Sequence, residues 1–227
     1  MRAHNVNRIG RTAAILSAFF ALLYSVFQLL TVFKVIPHPD ELFWLFLPSL
    51  FLAPSFLISI ISLHYSTGAG RKIFTAIAVA FAVIYSAFVV IVYFTQLAIV
   101  IPQIQAKAID ETHLLAFTDK SFMVAVDCMG YTFMNASTFA AAFAFRNEKS
   151  KWLYRSLLWN GLLTPVMVAA FFMLPFFYVG GLWIITFPTA MINAAKWFGK
   201  DAVRTGKKTI QQMPNLIIQK AVKHELQ

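Results

Sequence analysis

The chain has 227 residues, 59% hydrophobic and only 12% charged, with 24 phenylalanines and a mean hydropathy of +0.71. Soluble domains average about 45–50% apolar and about 25% charged, so too few charges remain here to cover a water-facing surface. The net charge of +10 does not point to nucleic acid, because the basic residues flank apolar runs, where they act as topology signals and contacts for anionic lipid. A single cysteine, Cys128, leaves no intrachain disulfide, thiol zinc cluster or CxxC pair.

The composition and the spacing of apolar runs predict an all-α integral membrane protein, a bundle of six transmembrane helices with N- and C-termini cytosolic. The first helix is expected at about 12–36, behind Arg2, Arg8 and Arg11. Its run is too long for the roughly 7–15-residue core of a signal peptide, so it reads as retained. Ser17, Tyr24, Gln28 and Thr31 share one of its faces. The Ile36–Glu41 stretch, with Pro37 and Pro39, reads as a turn.

The second helix is expected at 42–65, with Pro48 and Pro54 inside it and Ser55, Ser59 and Ser62 placed to re-satisfy freed carbonyls. A short basic loop, 66–72, leads to a third helix at 73–101, which carries Tyr85, Tyr93 and Gln96 and is expected to end at Pro102. The polar connection 103–120 could lie at the membrane surface or cap the bundle.

The fourth helix, 121–145, holds Asp127, the sole carboxylate within an apolar run. A charge at membrane depth is costly unless paired, protonated or hydrated, which makes it a functional hypothesis by default. Asp127, Tyr131, Asn135 and Thr138 fall within an arc of about 80° on a helix turning ~100° per residue. Ala136 and Ala140 lie opposite, spaced for close approach of another helix. Helices five and six are expected at 152–174 and 182–198, with the turn between them around Pro175–Gly181. The segment 199–227 reads as a basic cytosolic tail.

Charge tests this layout. With alternating sides, only Lys34, Lys107 and Lys120 of the 19 Lys and Arg fall on the outer side, as the positive-inside rule requires. Trp44 and Trp183 then lie near outer ends, and Trp152 and Trp197 near inner ends, fitting interfacial aromatic belts. Asp127 sits about 10 Å below the outer end of its helix at ~1.5 Å per residue. Gln96 and Gln28 come out at a similar level, with Tyr24, Tyr93 and Tyr131 nearby.

The candidate ligand or ion site is therefore an outer-leaflet polar cavity of Asp127, Tyr131, Gln96, Gln28, Tyr93 and Asn135. The alternative for the same residues is an interhelical polar network that only holds helices together. Candidate lipid-headgroup contacts are Arg146, Lys149, Lys151, Arg155, Lys207 and Lys208. No P-loop, GxGxxG, GxSxG or HExxH is present, and no metal site or cofactor is indicated.

Three function classes fit. A small-molecule or ion/proton-coupled transporter or ligand-binding membrane protein comes first. A non-enzymatic accessory, sensor or assembly subunit comes second, and a membrane-embedded lipid-modifying enzyme third. The expected partners are the bilayer, anionic lipid on the cytosolic face, and a second copy or partner subunit. Nucleic acid is not expected. The expected location is the cell membrane, as a multi-pass protein.

Overall fold

The computed structural model describes residues 3–108, 114–118, 121–147 and 150–200; the tail beyond Lys200 and Lys149 lie outside them. Every regular element among these residues is helical. In chain order they are α1 (Ala3–Val32), α2 (Asp40–Ser66), α3 (Lys72–Thr95), α4 (Ile101–Gln105), α5 (Phe122–Ala144), α6 (Lys151–Gly161), α7 (Thr164–Phe172), α8 (Leu174–Gly180) and α9 (183–200). Four segments are long and apolar enough to cross a membrane: Asn5–Val32, Asp40–Ser66, Ala69–Gln105 and Tyr178–Lys200. The helix carrying Asp127 and Asn135, α5, is not among them, and neither are the short pieces α6, α7 and α8.

Neighbouring helices run antiparallel. The hydroxyl of Ser66, at the end of α2, donates to Asn7 Oδ1 near the start of α1 at 3.2 Å, while Phe27 stacks on Trp44 at the opposite ends. His64 Nδ1 meets Thr75 Oγ1 at 3.0 Å between α2 and α3, and Phe46 stacks on Tyr93 at the far end of the same pair. Ser137 donates from α5 to Ala78 O on α3 at 2.7 Å, and Ser86 donates from α3 to Ala53 O on α2 at 3.2 Å. Such hydroxyl-to-carbonyl bonds are a usual cement where no water competes.

The last helix, α9, runs through the middle. Phe187 packs on Phe56 of α2, Trp183 on Tyr24 of α1 and Tyr131 of α5, and Trp197 on Phe145. Near the chain start, Phe198 lies directly over Gly10. Residues 10 and 198 therefore share one end of the bundle.

Helix boundaries differ from the sequence expectation wherever proline or capping decides them. Helix α1 begins nine residues earlier than Thr12, because its polar first turns are tied to α2 through Asn7. It stops at Val32 in a 6→1, 5→2 bond pair, Val35 N–H to Leu30 O and Lys34 N–H to Thr31 O, with Lys34 at φ 52°. Lys107, at φ 58°, closes α4 with the same pair of bonds.

Pro102 does not end the third helix. It lacks an N–H for Ala98 O, and the turn before it, Gln96–Val100, widens so that the Ile101 N–H reaches Gln96 O five residues back. The helix then continues to Gln105.

The expected fifth helix, 152–174, is two pieces, α6 and α7, with α8 beginning at its end. Pro165 cannot donate to Gly161 O; the Thr164 hydroxyl does so instead at 2.7 Å, and the chain breaks between α6 and α7. The turn expected at 175–181 lies earlier, at Met173, whose backbone is extended and across which α7 and α8 pack on each other; 175–180 is helical, and only residues 181–182 loosen before α9. In α2, Ser55 and Ser62 bond Phe51 O and Ile58 O, four residues back in each case. Neither reaches Trp44 O or Leu50 O, the carbonyls that Pro48 and Pro54 leave free.

Close helix approach uses glycine rather than Ala136 and Ala140, which are only half-buried. A Cβ on Gly161 would lie 2.5 Å from Phe139 Cα on α5, a backbone atom that cannot step aside. Gly161→Ala is expected to destabilise the bundle by about 1–3 kcal/mol through overpacking. Gly68→Ala, where nothing lies within 4 Å, should be silent. Thermal unfolding in detergent compares the two, and equal stability of both variants contradicts the packing.

Candidate functional site

Ser121 opens α5. Its extended backbone and its Oγ, which accepts from the N–H groups of Val124 and Thr118, cap the first turn. From that start the helix period carries Asp127, Tyr131, Asn135 and Thr138 down one face, towards α3, α6 and α9. The polar face divides into two layers with different satisfaction.

The lower layer is a hydrogen-bond network in which only the Asn135 Nδ2 is left without a partner. Asn160 Nδ2 on α6 donates to Asn135 Oδ1 and to Thr138 Oγ1, both at 2.9 Å. Thr186 Oγ1 on α9 donates to Asn160 Oδ1 at 2.9 Å. Asn135, Thr138 and Asn160 are fully buried. Three helices are thereby joined through one amide, and Asn135 belongs to this joint rather than to a cavity.

The upper layer surrounds Asp127. Tyr93 and Tyr131 share a hydrogen bond at 3.1 Å between their hydroxyls. The Tyr131 ring sits edge-on to Trp183 at 5.1 Å and to Tyr85 at 5.9 Å, and Trp183 in turn meets Tyr24 at 5.8 Å. Tyr131 follows Asp127 by one helical turn on α5, which sets the carboxylate beside this cluster of rings and hydroxyls.

Asp127 forms no ion pair among the described residues. Its Oδ1 is buried without a hydrogen-bond partner, as are the Tyr85 hydroxyl and the Trp183 indole N–H. Buried polar atoms are nearly always paired, so a cluster of three that is not demands a reason.

Two predicted members stand apart. Gln96, one turn beyond Tyr93, spends its amide on the outer connection: Nε2 donates to Leu115 O at 2.6 Å and Oε1 accepts from Phe117 N–H at 3.2 Å. Phe117 then packs edge-on against Phe46. The described part of the connection, 114–118, thus caps the bundle. Gln28 on α1 is half-buried and makes no hydrogen bond to the cluster.

Trp183, expected as an interfacial anchor, is instead buried between Tyr24, Tyr131 and Phe187. Tyr85 stands on the predicted polar face of α3, so periodicity could have nominated it. Nothing in the sequence could have nominated Trp183, whose position near a helix end reads as a boundary residue.

Comparison with known proteins yields no matching family model, no matching curated protein and no matching solved structure. The functional reading therefore stands on this geometry. A carboxylate with no cationic partner, ringed by aromatic faces and hydroxyls, can take up a proton or hold a small cation, since both the acid and the ring quadrupoles attract positive charge.

Among the expected headgroup residues, Arg146, Lys151 and Arg155 are exposed, with the Arg155 guanidinium 5.8 Å from the Trp152 ring centroid. Lys149, Lys207 and Lys208 lie outside the described residues. Arg71 is used internally: its Nη1 donates to Ala144 O at the end of α5, where carbonyls lack helical partners.

Replacing Gln96 by leucine strands Leu115 O and the Phe117 N–H, at a cost of about 1–3 kcal/mol. Hydrogen exchange of the 114–118 amides should accelerate in Gln96→Leu while α2 and α3 keep their protection. Unchanged exchange in that segment would show that the clamp does not hold it.

Proposed function

We propose that this chain is a multi-pass cell-membrane protein of six crossings with both termini cytosolic, and that Asp127 with its tyrosine cluster is a proton or small-cation site. Such a site suits an ion- or proton-coupled transporter or a ligand-binding membrane protein. The observation that carries the reading is the buried Asp127 Oδ1, unpartnered and in no ion pair among the described residues, one turn from Tyr131 and its cluster of Tyr85, Tyr93 and Trp183. A carboxylate needed only as glue would be expected to bond as Asn160 does two turns below. The six-crossing count is supported by the antiparallel pairing of consecutive helices and by the one-sided distribution of Lys and Arg. Under it, α5 and the broken α6–α8 complete crossings whose polar groups are covered by neighbours rather than by lipid.

The second reading, an accessory or assembly subunit, is favoured by the Asn135–Asn160–Thr186 joint and by the engagement of Gln96 with the cap. Both spend polar groups on cohesion. The two readings diverge at Asp127. As a proton or cation site, Asp127→Asn abolishes proton flux or uptake of ammonium and methylammonium in proteoliposomes, while thermal stability stays within about 1 kcal/mol of wild type. As glue, Asp127→Asn leaves every flux unchanged, and that result removes the proposal.

Topology has its own test. On a Cys128→Ala background, a cysteine at position 199 should react with a membrane-impermeant maleimide only from the cytosolic side, and one at position 38 only from outside. Labelling of both from the same side contradicts an odd number of crossings between them.

A further inference from the structure

Between α1 and α9, at the end where Gly10 meets Phe198, lies a groove of about 830 Å³ lined by Arg11, Ile15, Ala18, Phe19, Leu22, Ile192, Ala195, Lys196, Gly199 and Lys200. Its floor is small, with Ala18 and Ala195 buried, and its walls are large and exposed, with Ile15 and Phe19 each about half accessible. The Arg11 guanidinium lies against Gly199, where the glycine leaves room for it between α1 and α9. Three cations crowd one end of an otherwise apolar trough. None has a carboxylate within 4 Å among the described residues.

We infer that this groove is a binding site for one anionic phospholipid of the cytosolic leaflet, with its phosphate on Arg11, Lys196 and Lys200 and an acyl chain along Ile15, Phe19 and Ile192. Length supports the assignment. From Arg11 to Leu22 is three helical turns, about 16 Å at ~1.5 Å per residue, close to half of a hydrocarbon core of about 30 Å. The trough therefore runs one leaflet deep, from the headgroup level to the midplane.

Charge complementarity supports it as well. The cations stand on the side that the Lys and Arg distribution assigns to the cytosol, where anionic lipid concentrates. A zwitterionic lipid would bring its own cation to a site that already holds three. The inference depends on the membrane placement of α1 and α9 but not on Asp127, so a silent Asp127→Asn leaves it standing.

Native mass spectrometry tests it on the full chain, in micelles carrying equal palmitoyl-oleoyl phosphatidylglycerol and phosphatidylcholine. Wild type should retain the glycerol lipid in preference. The triple variant Arg11→Gln, Lys196→Gln and Lys200→Gln should lower that retention about tenfold or more. Ile192→Trp, which keeps every charge and fills the apolar trough at an exposed position, should lower it as well. The control variant Lys34→Gln and Lys72→Gln, exposed cations outside the groove, should leave it near wild type.

Equal retention of the two lipids overturns the inference, as does wild-type retention by the triple variant or by Ile192→Trp. Equal damage from the control variant makes the effect one of net charge and also overturns it. Displacement by water-soluble glycerol phosphate would mean that a free phosphate, not a lipid, is the occupant.

Discussion

A polar helix inside an apolar bundle has to find all its hydrogen-bond partners on its neighbours, because lipid supplies none. That constraint falls on α5. Its Ser137 reaches the backbone of α3 and its Asn135 and Thr138 reach Asn160 of α6, while Thr186 of α9 closes the same network. These bonds tie α3 and α6 to α5 directly and α9 through Asn160, so the polar face decides which elements are joined. Glycine does the complementary work on the steric side. Gly161 against Phe139 and Gly130 against Val89 bring backbones close enough for the short side-chain bonds to form.

The two layers of that polar face are chemically unlike. Around Asn160 nearly every donor and acceptor is used, and the amide Nδ2 of Asn135 is the exception. Around Asp127 the carboxylate Oδ1, the Tyr85 hydroxyl and the Trp183 N–H are all unused. A satisfied network rigidifies a core, whereas an unsatisfied one in low dielectric costs free energy that something else must justify. A proton or cation resident at the carboxylate supplies such a justification, and the aromatic walls would tolerate it. Because the two layers are only a few turns apart, the rigid lower joint also holds Tyr131 in place beneath the acid.

Irregular helix geometry concentrates where proline removes a donor. The widened turn before Pro102 lets α3 run on to α4, so that Gln96, at the start of that turn, meets the capping segment 114–118. At Pro165 the break is complete, and Thr164 supplies the missing bond. The consequence is that the segment after α5 is assembled from short pieces. Its first piece, α6, contributes Asn160 to the joint, and α7 and α8 pack on each other beyond it.

Much of this architecture was written in the order of the residues. Apolar runs determined the helical class and the long apolar helices, and marked Asp127 as the lone acid of an apolar run, because burial is a property of composition and period. The 3.6-residue repeat likewise placed Asp127, Tyr131 and Asn135 on one face. What period could not supply was the rotation of each helix about its axis and the identity of the group opposite. Those follow from packing between segments far apart in the chain. Only the tertiary structure therefore separated Asn135, bonded to Asn160, from Asp127, ringed by tyrosines. It also turned Gln96 to the cap, drew Trp183 from the expected boundary into the cluster, and brought Arg11 beside Lys196 and Lys200. Proline positions were legible too, but whether a helix widens or breaks depends on which neighbouring hydroxyl can take the orphaned carbonyl, and that is decided in three dimensions.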